Sequence, residues 1–207
     1  MNYEFAYKIG FHPWEDLAEH PPFAGKLLEL LAREEDGREP PYGLALDLGC
    51  GSAVWGVALA KRGWNVTGVD IVEKALRRAR QRVEEADVEM RLVHGDVTAL
   101  RQADVGSDFR LVLDTGTFHG LAEAQRRAMG QEISAIAAPD ATLLLDCFAP
   151  RRRGPLPRGA SSADVQRAFP TWEVTDVEIA DTEPDALARL FKFDERFYRL
   201  RRDGSAP

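Results

Sequence analysis

Cysteine is scarce in this chain, with two, Cys50 and Cys147, among 207 residues. That supply allows neither a disulfide framework nor the repeated Cys/His spacing of a zinc site, so both are expected to be reduced, small core residues. Long hydrophobic runs are missing too. No stretch of eighteen apolar residues occurs, and the amino-terminal MNYEFAYKIGFHPWED lacks the basic-then-apolar layout of an export signal. The expectation is a soluble, cytoplasmic protein with no membrane partner. Positive charge is also in deficit: 27 Lys and Arg against 34 Asp and Glu give a net charge of −7, with a pI near 5.2. A general nucleic-acid binder needs a basic face to displace counterions from phosphates, so no nucleic-acid partner is expected and a small molecule is favoured. There is no internal repeat and no long low-complexity segment; only Gly154 to Ser162 and the last five residues look loose. At 44% hydrophobic, the chain is long enough for one substantial core and short for two.

The chemistry is concentrated in Leu44 to Val54, LALDLGCGSAV, followed nineteen residues after Gly51 by Asp70 at the end of a second apolar run. An apolar strand that breaks into glycines and restarts as a helix brings bare backbone against a ligand, and an acid about twenty residues on can hold a ribose. This is the signature of a nucleoside cofactor. The glycine spacing narrows it. A dinucleotide fingerprint places its third small residue where Val54 stands; here the small residue comes one position early, at Ala53, so the pattern is D-x-G-x-G-x-A.

That pattern, Asp47 to Ala53, resembles motif I of the class I S-adenosylmethionine-dependent methyltransferases, usually D/E-x-G-x-G-x-G, with Ala53 replacing the last glycine. Asp47 suits the resemblance: a carboxylate before the loop can accept from the amino group of the cofactor's methionine part and would repel a pyrophosphate. The family's further landmarks follow in order over about residues 43 to 200. The resemblance implies that Gly49, Cys50 and Gly51 border the cofactor, that Asp70 takes the ribose hydroxyls, and that Ile71 packs on the adenine. It also implies that Asp96 accepts from the adenine amino group beside the Val97 amide, and that Asp114 opens the loop facing the transferable methyl. S-adenosyl-L-methionine is then the cofactor and S-adenosyl-L-homocysteine the product. Each acid also has a local use, since Asp47 and Asp70 suit turns and Asp96 suits a helix cap.

Periodicity predicts strands at Leu44–Leu48, Asn65–Val69, Glu89–Val93, Phe109–Leu113 and Thr142–Cys147, alternating with helices at Ala53–Arg62, Glu73–Glu85 and Leu121–Ala138. Such alternation implies parallel strands with right-handed crossovers. A short helix, Ser162–Phe169, then leads to two β-rich runs, Trp172–Ile179 and Glu195–Arg201. With the resemblance, these predict an α/β Rossmann-like methyltransferase fold: seven strands, mostly parallel, an antiparallel last strand, helices on both faces. Residues 1–42 are expected to form an aromatic arm and an amphipathic helix, Pro22 to Arg33, serving as a lid on the domain at 43–207.

In that arm Tyr3, Phe5, Tyr7, Phe11 and Trp14 crowd around His12. Electron-rich ring faces attract a cationic sulfur by about 0.5–2 kcal/mol, and the arm resembles the cap of thiopurine-type methyltransferases, which makes Trp14 the candidate cofactor contact. Pro40-Pro41-Tyr42 imitates part of the N/D-P-P-Y signature of base methyltransferases but precedes motif I, so it reads as a turn. After strand four the sequence is DTGTFHG, Asp114 to Gly120, with no such signature. That leaves methylation of O, S or N on a small-molecule acceptor. A hydroxyl acceptor needs a base, for which His119 is best placed. Arg151, Arg152, Arg153 and Arg158 read as a solvated basic loop that could border an anionic acceptor. Asp114 and Asp146 are not joined by a convincing third ligand, so no metal is expected. A nicotinamide-dependent oxidoreductase and a non-catalytic regulatory protein with the same fold are the alternatives; the chain is expected to be a monomer or homodimer.

Overall fold

The computed structural model describes residues 21–150, 158–179 and 195–202. Trp14, His12, the other arm aromatics and Arg151 to Arg153 lie outside them. The element order is α1 (Pro21–Glu35), β1 (Gly43–Leu48), α2 (Val54–Arg62), β2 (Trp64–Asp70), α3 (Glu73–Glu85), β3 (Met90–His94), β4 (Phe109–Thr115), a 3-10 turn (Phe118–Gly120), α4 (Glu123–Ile136), β5 (Ala137–Phe148), α5 (Ser162–Ala168), β6 (Trp172–Ile179) and β7 (Glu195–Arg202).

The seven strands form one sheet in the order β3-β2-β1-β4-β5-β7-β6. The first five run parallel, whereas β7 is antiparallel to both neighbours. Strand order therefore reverses between β1 and β4, and open α/β sheets bind ligands in the crevice beyond the strand ends at such a switch point. One face of the sheet carries α1 and α2, whose Phe23, Leu27, Leu30, Leu31, Trp55 and Leu59 meet Ala45, Val66, Leu111, Leu113, Leu144 and Phe197. On the other face Met129 and Ile133 of α4 and Val165 of α5 close over Leu46, Val112, Leu143 and Leu145. At about 1.5–3 kcal/mol for each large apolar side chain taken from water, these two clusters hold the layers together.

Helix α1 is fixed by more than its apolar stripe. Glu35 accepts from Arg62 Nε at 2.8 Å and from Trp64 Nε1 at 2.9 Å, while Glu34 accepts from Arg199 Nε at 2.5 Å and Thr142 Oγ1 at 2.7 Å. The segment preceding motif I is thus bolted to α2, β2, β5 and β7. Pro40-Pro41-Tyr42 lies in the irregular link that follows α1.

Two boundaries differ from the periodicity. The helix predicted from Leu121 starts at Glu123, because a 3-10 turn intervenes and Ala122 is extended (φ −70°, ψ 159°). It ends at Ile136, and β5 begins at Ala137 rather than near Ala141. The residue before a proline is pushed out of the helical region, and Ala138 precedes Pro139. Ala137 pairs with Phe109 and Thr142 with Leu111, so the Pro-Asp pair bulges out of the ladder between them, where a residue without an N–H is tolerated.

Candidate active site

The turn after β1 is built from left-handed residues at alternate positions: Gly49 at φ 61°, Gly51 at φ 55° and Ala53 at φ 61°. A Cβ on Gly49 would lie 2.0 Å from Thr117 Oγ1, so the first glycine is demanded by the approach of the β4 loop as well as by its φ. Ala53 serves as the N-cap of α2 without a side-chain hydrogen bond. It accepts a conformation that costs a non-glycine residue roughly 1–2 kcal/mol, in exchange for a fully buried methyl against Val57 and Ala79.

Asp70 fastens this turn to β2. Its Oδ2 accepts from Gly51 N at 2.9 Å and its Oδ1 from Val72 N at 2.7 Å. A carboxylate offers about four lone-pair directions, so acceptor capacity is left for two hydroxyl donors. Burial raises its pKa above the ordinary 3.8, and the two amides hold it down in part. Ile71, next to it, is 61% exposed, an apolar surface at the rim. Asp96 takes Thr98 N and Thr98 Oγ1 on Oδ1, both at 2.8 Å, the capping use open to it, with Val97 buried beside it. Cys50 is buried, and its thiol is pushed well up by that burial and by Asp47 and Asp70, so it is not a nucleophile here.

Asp47 is only partly accounted for by its surroundings. It is 1% exposed, and its Oδ2 has no hydrogen-bond partner among the described residues. Burial pushes its carboxyl up to about 7, with Asp114 and Asp70 adding repulsion and the Gly56 amide opposing. A buried acceptor left unmet costs about 1–3 kcal/mol and more if ionised, so a cationic donor brought to Oδ2 would be held strongly.

Asp114 stands at the head of the loop after β4, as the sequence places it. It is fully buried and accepts from Gly116 N (2.9 Å), Thr117 N (2.6 Å) and Phe118 N (3.0 Å); even so, burial lifts its pKa to about 7. Those three bonds shape the loop. Thr117 Oγ1 donates to Leu48 O at 3.2 Å, stitching this loop to β1, and Arg126 donates to Phe118 O, His119 O and Gly159 O, joining it to the segment after β5.

His119 is 6% exposed and stacks on Phe148, with centroids 4.5 Å apart and planes at 12°. Phe148 N donates to its Nδ1 at 3.3 Å. The neutral ring therefore carries its proton on Nε2, and its one basic lone pair points at a backbone amide.

Sequence reasoning weighed Asp146 only as a metal ligand and did not single out Glu195 or Trp55. Asp146 is 4% exposed, and its Oδ1 and Trp55 Nε1 both lack partners among the described residues. An aspartate inside the apolar run LLLDCF was the legible signal; nothing in the sequence around Glu195 marks it. No group of three or more His, Cys, Asp or Glu that could hold a metal ion exists among the described residues, and no helix among them is long and apolar enough to cross a membrane.

Fold and site together define an open α/β sheet with a nucleoside-binding crevice at its switch point. Residues 45–140 match the family model described as Methyltransferase domain. The chain is 30% identical over 222 residues to thiopurine S-methyltransferase of Azotobacter vinelandii, with 94% of each chain covered. Its backbone superposes on the N-methyltransferase NodS of Bradyrhizobium japonicum, solved with S-adenosyl-L-homocysteine, at TM-score 0.73 and 18% identity, covering 92% of this chain and 91% of that one. It superposes equally, at TM-score 0.73 and 19% identity, on Burkholderia thailandensis 1,6-didemethyltoxoflavin-N1-methyltransferase, covering 97% of this chain and 85% of that one. The chain belongs to the class I S-adenosylmethionine-dependent methyltransferases and is an enzyme that uses S-adenosyl-L-methionine. The nicotinamide-dependent and non-catalytic alternatives are set aside on that ground.

Proposed function

We propose that this enzyme methylates an O, S or N atom of a small-molecule acceptor. The observation that carries the reading is the buried, unpartnered Asp47 Oδ2 beneath the glycine turn, a site that fits the cofactor's ammonium group and nothing anionic. Asp70, Ile71, Asp96 and Val97 line the sheet edge where the nucleoside part would lie, and Gly49, Cys50 and Gly51 supply the close backbone. Asp114 orders the loop on the acceptor side. When bound, the cofactor supplies a methyl group already activated on a sulfonium. The protein's own share is then to orient the acceptor and exclude water, and good orientation alone is worth about 7–11 kcal/mol.

Two relatives named for small heterocycles, thiopurine and 1,6-didemethyltoxoflavin, support an acceptor of that size. Stacking of His119 on Phe148 supports a role for His119 as a fixed Nε2–H donor at the acceptor side. The aromatic arm ahead of α1 serving as a lid with Trp14 at the cofactor, and action in the cytoplasm as a monomer or homodimer, complete the proposal. Calorimetric titration with S-adenosyl-L-homocysteine, followed by a methyl-transfer screen over phenols, thiols, amines and carboxylates, tests it. Binding of that product and turnover of at least one acceptor class is the expected result; no heat with folded protein refutes it.

A further inference from the structure

The C-terminal end of β5 carries polar groups that cofactor binding does not use. Side chains alternate along a strand, so Asp146, two residues beyond Leu144, lies on the same face as Leu144 and as its register partner Phe197. Phe148 is paired with Glu195 in the same ladder, which makes Glu195 a diagonal neighbour of Asp146 on that face. Diagonal cross-strand neighbours are within reach of each other for long side chains. Both acids are removed from water. Burial raises Asp146 well above its ordinary range, with Glu195 and Asp114 adding repulsion, and burial raises Glu195 to about 7. Like charges placed together away from water cannot both ionise cheaply, so the pair resists carrying two charges.

Around this pair the wall is aromatic. Phe23 of α1 contacts Phe197, with ring centroids 5.2 Å apart, and Trp55 of α2, at 5.9 Å. Trp55 Nε1, a buried donor, and Asp146 Oδ1, a buried acceptor, belong to this wall and neither has a partner among the described residues. Buried polar atoms are rarely left unmet, and each such exception asks for an explanation. Asp146 lies two strands from Asp47 on the same face, because Asp47 pairs with Leu113 on β4 and Thr115 on β4 pairs with Asp146. It is therefore beside the proposed cofactor site, on the acceptor side.

We propose that Asp146 and Glu195 form the acceptor's recognition site and that the acceptor is an aromatic nitrogen compound presenting N–H donors, an amine or an N-heterocycle. The inference rests on the reading above, and deepens it by choosing among O, S and N. Two buried carboxyl groups on one face, one with an unpartnered oxygen, offer acceptors to N–H groups and to a cationic nitrogen and disfavour carboxylates and phenolates. The pair also has somewhere to put a proton. When a neutral N–H is methylated that proton must leave: the N–H bond breaks with its electron pair staying on nitrogen, and an O–H bond forms on the ionised carboxylate. His119, with its Nδ1 engaged, need not serve as the base.

The test is calorimetric titration of the intact protein, saturated with S-adenosyl-L-homocysteine, with 2-aminobenzimidazole and benzylamine as N–H probes and with benzoate and phenol as oxygen counterparts. The nitrogen probes are expected to bind at least tenfold more tightly than the oxygen ones. Asp146→Asn and Glu195→Gln, which keep size and remove charge, are each expected to weaken the nitrogen probes at least tenfold and to leave S-adenosyl-L-homocysteine affinity within threefold. Failure of both nitrogen probes to bind, equal affinity for benzoate, or unchanged affinity in both variants overturns the proposal. If S-adenosyl-L-homocysteine itself is not bound, the reading in the preceding subsection fails instead, and the same probes titrated into the free protein still decide this one.

Discussion

Replacing Asp47 with asparagine tests the site at its centre, because the native carboxyl carries a pH-dependent cost that the amide does not. Its pKa lies at about 7 in the folded protein against an ordinary 3.8. Between those values the native state holds a proton that the unfolded chain has released, so stability falls as pH rises, at about 1.4 kcal/mol per pH unit. The full span is at most about 4 kcal/mol, of which about 2–3 kcal/mol falls between pH 5 and pH 8. For a chain of this length that corresponds to roughly 5–10 °C in Tm. Thermal unfolding of wild type and Asp47→Asn across that range should therefore show the variant gaining on wild type as pH rises. Saturating S-adenosyl-L-homocysteine should reverse the order at pH 8, since its ammonium group compensates the ionised carboxylate and gains much less from the amide. At pH 6, binding to wild type should release a proton, seen as a dependence of the observed heat on the buffer's ionisation enthalpy, and the variant should release less. Parallel pH profiles, or proton uptake on binding, would refute the assignment of the unpartnered oxygen to a cationic donor.

Asp70→Ala should weaken S-adenosyl-L-homocysteine at least tenfold by calorimetry and lower stability by about 1–3 kcal/mol, because the Gly51 and Val72 amides lose their acceptor. Gly49→Ala should destabilise by about 2–4 kcal/mol in denaturant unfolding, through its left-handed φ and the collision with Thr117; an unchanged midpoint would mean that the β4 loop is free to retreat. His119→Ala should lower kcat on whichever acceptor the screen finds while leaving S-adenosyl-L-homocysteine affinity within twofold. The pH profile of kcat should keep its shape in that variant, and loss of an inflection that the wild type shows would assign His119 as the base.

Most of the fold was legible because each strand of the parallel half is a short apolar run with a helix of clear period after it. Helix α3 shows this well: Ala75, Leu76 and Ala79 are buried on one stripe of Glu73–Glu85. Where the reading slipped, a local effect decided. Pro139 ended α4 early and bulged out of a strand that pairs on either side of it, and no periodicity window registers a bulge. In the site, the glycine turn and Asp70 were legible because their spacing is dictated by backbone geometry. The roles of Asp114 and His119 were not, because what a loop side chain faces depends on hydrogen bonds made within that loop. Asp146 and Glu195 are 49 residues apart in sequence, and only the insertion of β7 beside β5 makes them neighbours.

That insertion also governs how the molecule comes into being. The seventh strand in chain order sits inside the sheet, between the fifth and the sixth, so until it is synthesised β5 presents a bare edge to its surroundings and β6 has nothing to pair with. A ribosome-bound chain can assemble the parallel half from local crossovers, yet must wait for β7 to seal the ladder. Such late, long-range closure is slow and leaves an exposed edge open to wrong partners meanwhile. Competence to handle an acceptor thus arrives together with the sealing of that edge, since the strand that completes the one brings Glu195 to the other.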